Sequence, residues 1–249
     1  MSNLLVVGDV HTDLKQMYDL VCDHIKENNI EAVLQVGDFE LYQSNTAVEQ
    51  EKKYLVRLKK EKLVARLKKS LLSGTAPKFP VPVYYIKGNH EDFDNLDSIH
   101  LKRINIHHIP QGAIIDVGGY KIAGIGGIHS SVKKYVASSE LEGYDRRFYT
   151  MEEIANILRN PLKDEVDILL THQAVSGCIP PRVPGKRHSW EEGTKDFEKL
   201  LNLPKLRYYI HGHHHVNYKI NGGQIGDKNT PEIIGLGNFS KNKESFCII

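Results

Sequence analysis

Cysteine is scarce in this 249-residue chain: Cys22, Cys178 and Cys247 are odd in number and far apart. That pattern excludes a disulfide framework and suits a reducing compartment, so a cytoplasmic location is expected. No apolar run approaches the length of a membrane span, and Leu4–Val7 is too short and too sparsely flanked for a signal peptide. Cys247 stands third from the end, the wrong place for a prenylation box. Charge of one sign does not dominate either, with 33 Lys and Arg against 31 Asp and Glu. Repeats and low-complexity tracts are absent, and the composition is ordinary for a globular protein. The length lies near the upper end for one core, so a single domain over residues 1–249 is expected.

What the chain does contain is a set of five short segments rich in ligands for hard divalent cations. They are Gly8-Asp9-Val10-His11, Gly37-Asp38, Gly88-Asn89-His90-Glu91, Thr171-His172 and Gly212-His213-His214-His215. Each follows a run of aliphatic or β-branched residues: Leu4–Val7, Ala32–Val36, Val83–Ile86, Ile168–Leu170 and Tyr208–Ile210. A buried strand followed by a Gly turn puts the next side chain at the strand's carboxyl end, the usual edge for a site in an α/β sheet. None of these segments is informative alone, since Gly-Asp is common turn chemistry and a single His is often a core residue. Their joint occurrence points to a two-metal site.

Taken in order, D-x-H, G-D, G-N-H-[DE], a lone H and G-H-x-H, the segments resemble the calcineurin-like metallophosphoesterases over essentially the whole chain. The resemblance implies that Asp9, His11, Asp38 and His215 hold one metal. It implies that Asp38, Asn89, His172 and His213 hold a second, with Asp38 bridging. It also makes His90 the catalytic candidate, stabilising the transition state or protonating the leaving oxygen.

Elementary electrostatics agrees. Two dications about 3.5–4 Å apart need an anionic bridge, which Asp38 can provide and the neutral Asn89 cannot. Imidazole and carboxylate donors suit manganese foremost, with iron, zinc, nickel or magnesium as other occupants, and no Cys is offered for a structural zinc cluster. Two dications less Asp9 and Asp38 leave a surplus of about two positive charges, which should attract phosphate oxyanions. The expected reaction is phosphoester hydrolysis by a metal-bridging hydroxide. Glu91 would either orient an imidazole or face water.

Strands and helices alternate early: a strand, a helix around Asp13–Glu27, a strand, a long helix, a strand. Short strands follow from Ile104, with Ile114–Val117 and Tyr120–Ile125 joined by Gly118-Gly119 as a tight hairpin. Met151–Leu158 and Glu191–Leu201 have helical spacing, and Asn217–Ile220, Gln224-Ile225 and Glu232–Leu236 read as strands. This order, like the resemblance, fits a four-layer αββα sandwich of two mixed β-sheets.

A helical insertion at about 46–72 is the most individual segment. Thr46 and Glu49 are spaced as a capping box, and Leu55, Leu58, Leu63, Leu67 and Leu71 form an approximate apolar stripe. Nine Lys and Arg stand against two Glu between Glu51 and Lys69. A solvated face whose lysine stems cover apolar surface is the favoured reading, and nucleic-acid contact is the alternative.

Substrate contacts are assigned to His129, Arg182 and His214, and His211 is placed behind the metal ligands. Gly37-Asp38 continues Phe39-Glu40-Leu41, without the Asp and Arg of the protein Ser/Thr phosphatases, which disfavours that substrate. Gly119–Tyr149 is similar to the RNA lariat-debranching enzymes, although those usually carry Cys where Asp9 stands. Phosphodiesters, nucleic acid among them, are therefore preferred over monoesters. A phosphomonoesterase or nucleotide phosphatase, and a non-catalytic scaffold for phosphorylated or nucleic-acid partners, are the alternatives.

Overall fold

The computed structural model describes residues 2–178, 192–221, 230–242 and 244–249. Strands β1 (Asn3–Val7), β2 (Ile30–Gln35), β3 (Val83–Tyr85) and β4 (Ile106–His108) run parallel, and β11 (Phe246–Ile248) joins β1 antiparallel at the edge. The second sheet has the order β5-β6-β7-β8-β10-β9. Its strands are β5 (Ala113–Val117), β6 (Tyr120–Ile125), β7 (Ile168–Thr171), β8 (Tyr208–His211), β9 (Tyr218–Ile220) and β10 (Glu232–Gly235). The inner four are parallel and both edges antiparallel.

Side-chain alternation explains the layering. Leu4 and Val6 of β1 face one way with Ala32 and Leu34 of β2, and meet Ile122, Leu170, Ile210 and Ile234 of the second sheet. Leu5, Val7 and Val33 face the other way, onto Met17 and Val21 of helix α1 (Leu14–Asn28). On the far side, Leu169, Tyr209 and Ile233 pack against Ile154 and Ile157 of α6 (Met151–Arg159). Period-two strands covered on both faces thus give the four layers expected from the sequence. Gly118 and Gly119, at φ 59° and 81°, make the β5–β6 hairpin turn.

The basic insertion is not one helix. It divides into α2 (Asn45–Gln50), α3 (Lys52–Leu58) and α4 (Glu61–Ser73), and α5 (Ile99–Arg103) follows β3. Lys59 at φ 57° ends α3, with Lys60 N–H reaching back to Leu55 O at 2.9 Å. Leu58 and Leu63, both counted in the expected apolar stripe, are exposed, at 37% and 42%. Val64 is buried instead. The cap is Ser44, whose Oγ accepts from Ala47 N–H at 3.0 Å, and not Thr46.

The expected helix over Glu191–Leu201 is also corrected: from residue 192 onward only a 3-10 turn, Glu198–Asn202, forms. Ahead of it Thr194 bridges to Val175, donating to Ala174 O at 2.9 Å, and Gly193 takes φ 69° to let that pairing form. The expected strand at Gln224-Ile225 lies outside the described residues.

Candidate metal centre

Register sets the position of the donors. Val7, Gln35 and Tyr85 are aligned across β1, β2 and β3, so the loops carrying Asp9, Asp38 and Asn89 leave one edge together. Thr171 is paired with His211 in the second sheet, which brings His172 and His213 out side by side. Buried Gln35 ties two of these turns, with its amide nitrogen on Gly8 O (3.2 Å) and Gly37 O (2.6 Å).

Donor atoms of Asp9, His11, Asp38 and His215 lie within 4.8 Å of one another. Beside them, His172 Nε2 is 3.5 Å from Asp38 Oδ1 and 3.1 Å from Asn89 Oδ1. His213 donates its backbone N–H to Asp9 Oδ2 at 2.9 Å, and its ring lies 5.0 Å from that of His172. All seven expected ligands therefore meet in one place, with Asp38 between the two groups. Among the described residues, six of the nine non-Gly residues with positive φ are His11, Thr12, Asp38, Glu40, His213 and His215, so their backbone strain is concentrated here. Glycines permit the crowding: a Cβ on Gly88 would collide with Asp38 Oδ1, and one on Gly212 with Asp9 Oδ1.

The donors' protons are directed outward. His172 Nδ1 lies 2.8 Å from Val36 O, a pure acceptor, so Nδ1 carries the hydrogen and the Nε2 lone pair faces the Asn89 and Asp38 oxygens. His11 repeats the arrangement, its Nδ1 on Glu40 Oε1 at 2.5 Å and its Nε2 facing His215 Nε2 at 3.1 Å. Lone pairs converging on oxygens repel unless a cation lies between them. Holding a ligand imidazole by its far nitrogen is the usual support of a metal site.

Burial raises the Asp9 carboxyl to about 7, which the charge of Asp38 reinforces. Burial also opposes ionisation of Asp38, but positive charge on the surrounding imidazoles of His172, His90 and His11, the part a cation between them would take over, prevails and holds its pKa well below the usual range. His213 is pushed down to about 3, chiefly by burial, leaving it a neutral donor. This donor chemistry fits divalent ions.

His90 stands beside the cluster, its ring 6.4 Å from that of His11. Its Nδ1 is 3.1 Å from Glu51 Oε2, and the Tyr54 ring stacks on it at 3.9 Å and 11°. Burial opposes protonation of His90, yet the Asp38 and Glu51 carboxylates carry its pKa up to about 9.

Several supporting residues have no motif of their own. Glu40, fully buried, takes His11 and also the Tyr54 hydroxyl at 2.6 Å, while Lys60 Nζ donates to His11 O at 2.9 Å. Glu40 carried a faint signal in its place two residues after Asp38; Glu51, Tyr54 and Lys60 carried none, because they come from the insertion. Glu91 neither orients an imidazole nor faces water. It is buried and accepts from the backbone N–H groups of Phe39, Gly88 and Glu40, clamping two site loops together.

Among the expected substrate contacts, His129 donates its backbone N–H to Gln173, the residue after His172, and its Nδ1 meets Tyr149 Oη and Asp196 Oδ2 at 3.0 and 3.1 Å. His214 does not line the opening. It is 1% exposed, and its Nε2 accepts from Ala174 N–H at 3.4 Å. Arg182 lies outside the described residues. His211 sits behind the cluster, its Nε2 2.6 Å from the Tyr218 hydroxyl.

Two sheets whose strand ends gather carboxylates and imidazoles define an α/β protein with a candidate metal centre. The calcineurin-like phosphoesterase family model matches residues 2–217, and the chain belongs to that family, one of hydrolases acting on phosphoester bonds. It is 25% identical over 235 residues to a lariat debranching enzyme of Drosophila pseudoobscura pseudoobscura, covering 86% of this chain and 43% of the relative. A lariat debranching enzyme of Entamoeba histolytica is 25% identical over 264 residues, covering 95% and 72%. This chain thus spans less than half the length of the Drosophila relative. A candidate 5'-nucleotidase from Staphylococcus aureus shares the fold, with a TM-score of 0.50 and 15% identity over 95% of this chain and 48% of that one. Among the described residues, no helix is long and apolar enough to cross a membrane.

Proposed function

We propose that this chain hydrolyses phosphoesters with two divalent metal ions and prefers phosphodiesters, nucleic-acid backbones among them. The observation that carries the reading is His172, whose Nδ1 is held by Val36 O while its Nε2 faces two oxygens. Asp9, His11, Asp38 and His215 would hold one ion, and Asp38, Asn89, His172 and His213 the other. Bound there, manganese or a similar ion would supply Lewis acidity toward a phosphoryl oxygen and toward water.

The chain's own groups do the rest. Asp38 accepts backbone N–H from Asn89 and His90 at 2.8 and 2.9 Å, which fixes its carboxylate. Its acceptance from His90 N also fixes where the His90 side chain starts. His90 would give a proton to the leaving oxygen. The site floor is buried, with Asp9, His11, Asp38 and His172 all at 2% exposure or less, whereas His215 opens to solvent. Substrate would enter from the His215 side.

A diester is favoured by the surface beside the site and by the resemblance to lariat debranching enzymes. Tyr54 and Lys60 bind the insertion to the site, so the exposed Lys53, Arg57 and Lys59 stand next to it, and Arg57 lies 5.8 Å from the Tyr54 ring. Cations so placed can follow a phosphate backbone.

Paired assays on bis-p-nitrophenyl phosphate and p-nitrophenyl phosphate, with manganese and with chelator, test the proposal. Faster diester cleavage that chelator abolishes and manganese restores is expected. Turnover of the monoester alone would move the reading to a phosphatase, and inactivity on both with metal bound would leave a scaffold.

A further inference from the structure

We infer that Glu51 and Tyr54, which belong to none of the five motifs, are positioning residues for His90. This rests on the reading of His90 as proton donor to the leaving group. Glu51 sits at the junction of α2 and α3 and is 3% exposed, with Oε2 at 3.1 Å from His90 Nδ1. A carboxylate oxygen accepts from the imidazole, so the Nδ1 position carries the hydrogen and Nε2 is the nitrogen left to meet substrate. Tyr54 fixes the other degree of freedom. Its ring lies flat on the imidazole at 3.9 Å and 11°, so His90 cannot turn about its ring bond without leaving the stack.

Tyr54 is anchored in its turn. Its hydroxyl donates to Glu40 Oε1, the same oxygen that holds His11 Nδ1. One short helix therefore sets the proton donor against the ligand cluster. The contrast with Glu91 is informative: that buried carboxylate takes three backbone N–H groups and holds loops, whereas Glu51 turns to a side chain that can work on substrate.

The test uses manganese-loaded wild type, E51Q, Y54A, H90A and the E51Q/H90A double variant. Steady-state kinetics are measured on bis-p-nitrophenyl phosphate and on diphenyl phosphate, whose leaving group needs a proton more. E51Q should lower kcat about 10–100-fold, as loss of a supporting hydrogen bond does, with KM and metal content little changed. Its loss should be larger on diphenyl phosphate, and the double variant should be no slower than H90A. Wild-type kcat in E51Q beside a crippled H90A would overturn the inference alone, as would losses that multiply in the double variant. A fully active H90A would instead remove the reading of His90 beneath it. Should the variants not fold, the imidazole nitrogen shifts of zinc-loaded wild type decide: a hydrogen on His90 Nδ1 supports the inference and a bare Nδ1 contradicts it.

Discussion

His11 Nδ1 and Glu40 Oε1 lie 2.5 Å apart where both side chains are buried, at 2% and 0% exposure. The pair aims the opposite nitrogen of His11 into the ligand cluster. Replacing Glu40 with Gln keeps the shape but weakens the hold on the imidazole. Manganese affinity of E40Q, measured by calorimetry, should fall about 10–100-fold, the usual cost of losing such a support. Unchanged affinity would show that the pair is only structural.

The two groups of donors imply different losses of metal. His172→Ala removes a donor from one group only, so metal analysis should show about one ion retained where wild type holds two, given the paired-ion geometry of such centres. Asp38→Ala touches both groups and should empty the centre. Equal metal content in the two variants would argue against a shared carboxylate.

Gly88 has no room for a side chain, because a Cβ there meets the Asp38 backbone nitrogen and Oδ1. Gly88→Ala should cost about 1–3 kcal/mol of folding stability, as overpacking does, and should also weaken metal binding. Urea unfolding with and without manganese separates the two effects. A variant as stable as wild type would mean that the loop yields freely.

Between the sheets, Leu34 is fully buried among residues of both. Leu34→Ala should destabilise by about 2–5 kcal/mol in urea unfolding, the range for deleting a core leucine side chain. Val56, 51% exposed on α3, is the control, and Val56→Ser should lie within about 0.5 kcal/mol of wild type.

The exposed cations of the insertion give a salt-dependent expectation. Affinity for single-stranded RNA, followed by fluorescence anisotropy, should fall as salt rises, with a slope of about −0.7 for each phosphate neutralised. A triple variant with Ala at Lys53, Arg57 and Lys59 should flatten that slope. A flat dependence in wild type would remove the nucleic-acid reading and leave these residues as a solvated face.

Much of the fold could be read from the chain because it is built on short-range rules. Leu4–Val7 and Ile168–Leu170 announce buried strands, and Gly8, Gly37, Gly88 and Gly212 announce the turns that end them. The donors were legible for the same reason, since each sits directly after its strand. What escaped was long-range. Nothing near Glu51 or Tyr54 in sequence says that a helix 39 residues before His90 folds over its ring. The break at Lys59 was hidden because lysine is an ordinary helix former, and tertiary contacts of Lys60 and Tyr54 set the bend. Glu191–Leu201 failed for a related reason: helical spacing was outweighed by the pairing of Thr194 with Val175.

Anomalous diffraction from crystals grown with manganese probes the centre most directly. Two peaks about 3.5–4 Å apart, with an Asp38 oxygen between them and His172 and His215 on opposite sides, are expected. A single peak, or none within reach of Asp38, would contradict the paired-ion centre on which the proposed chemistry depends.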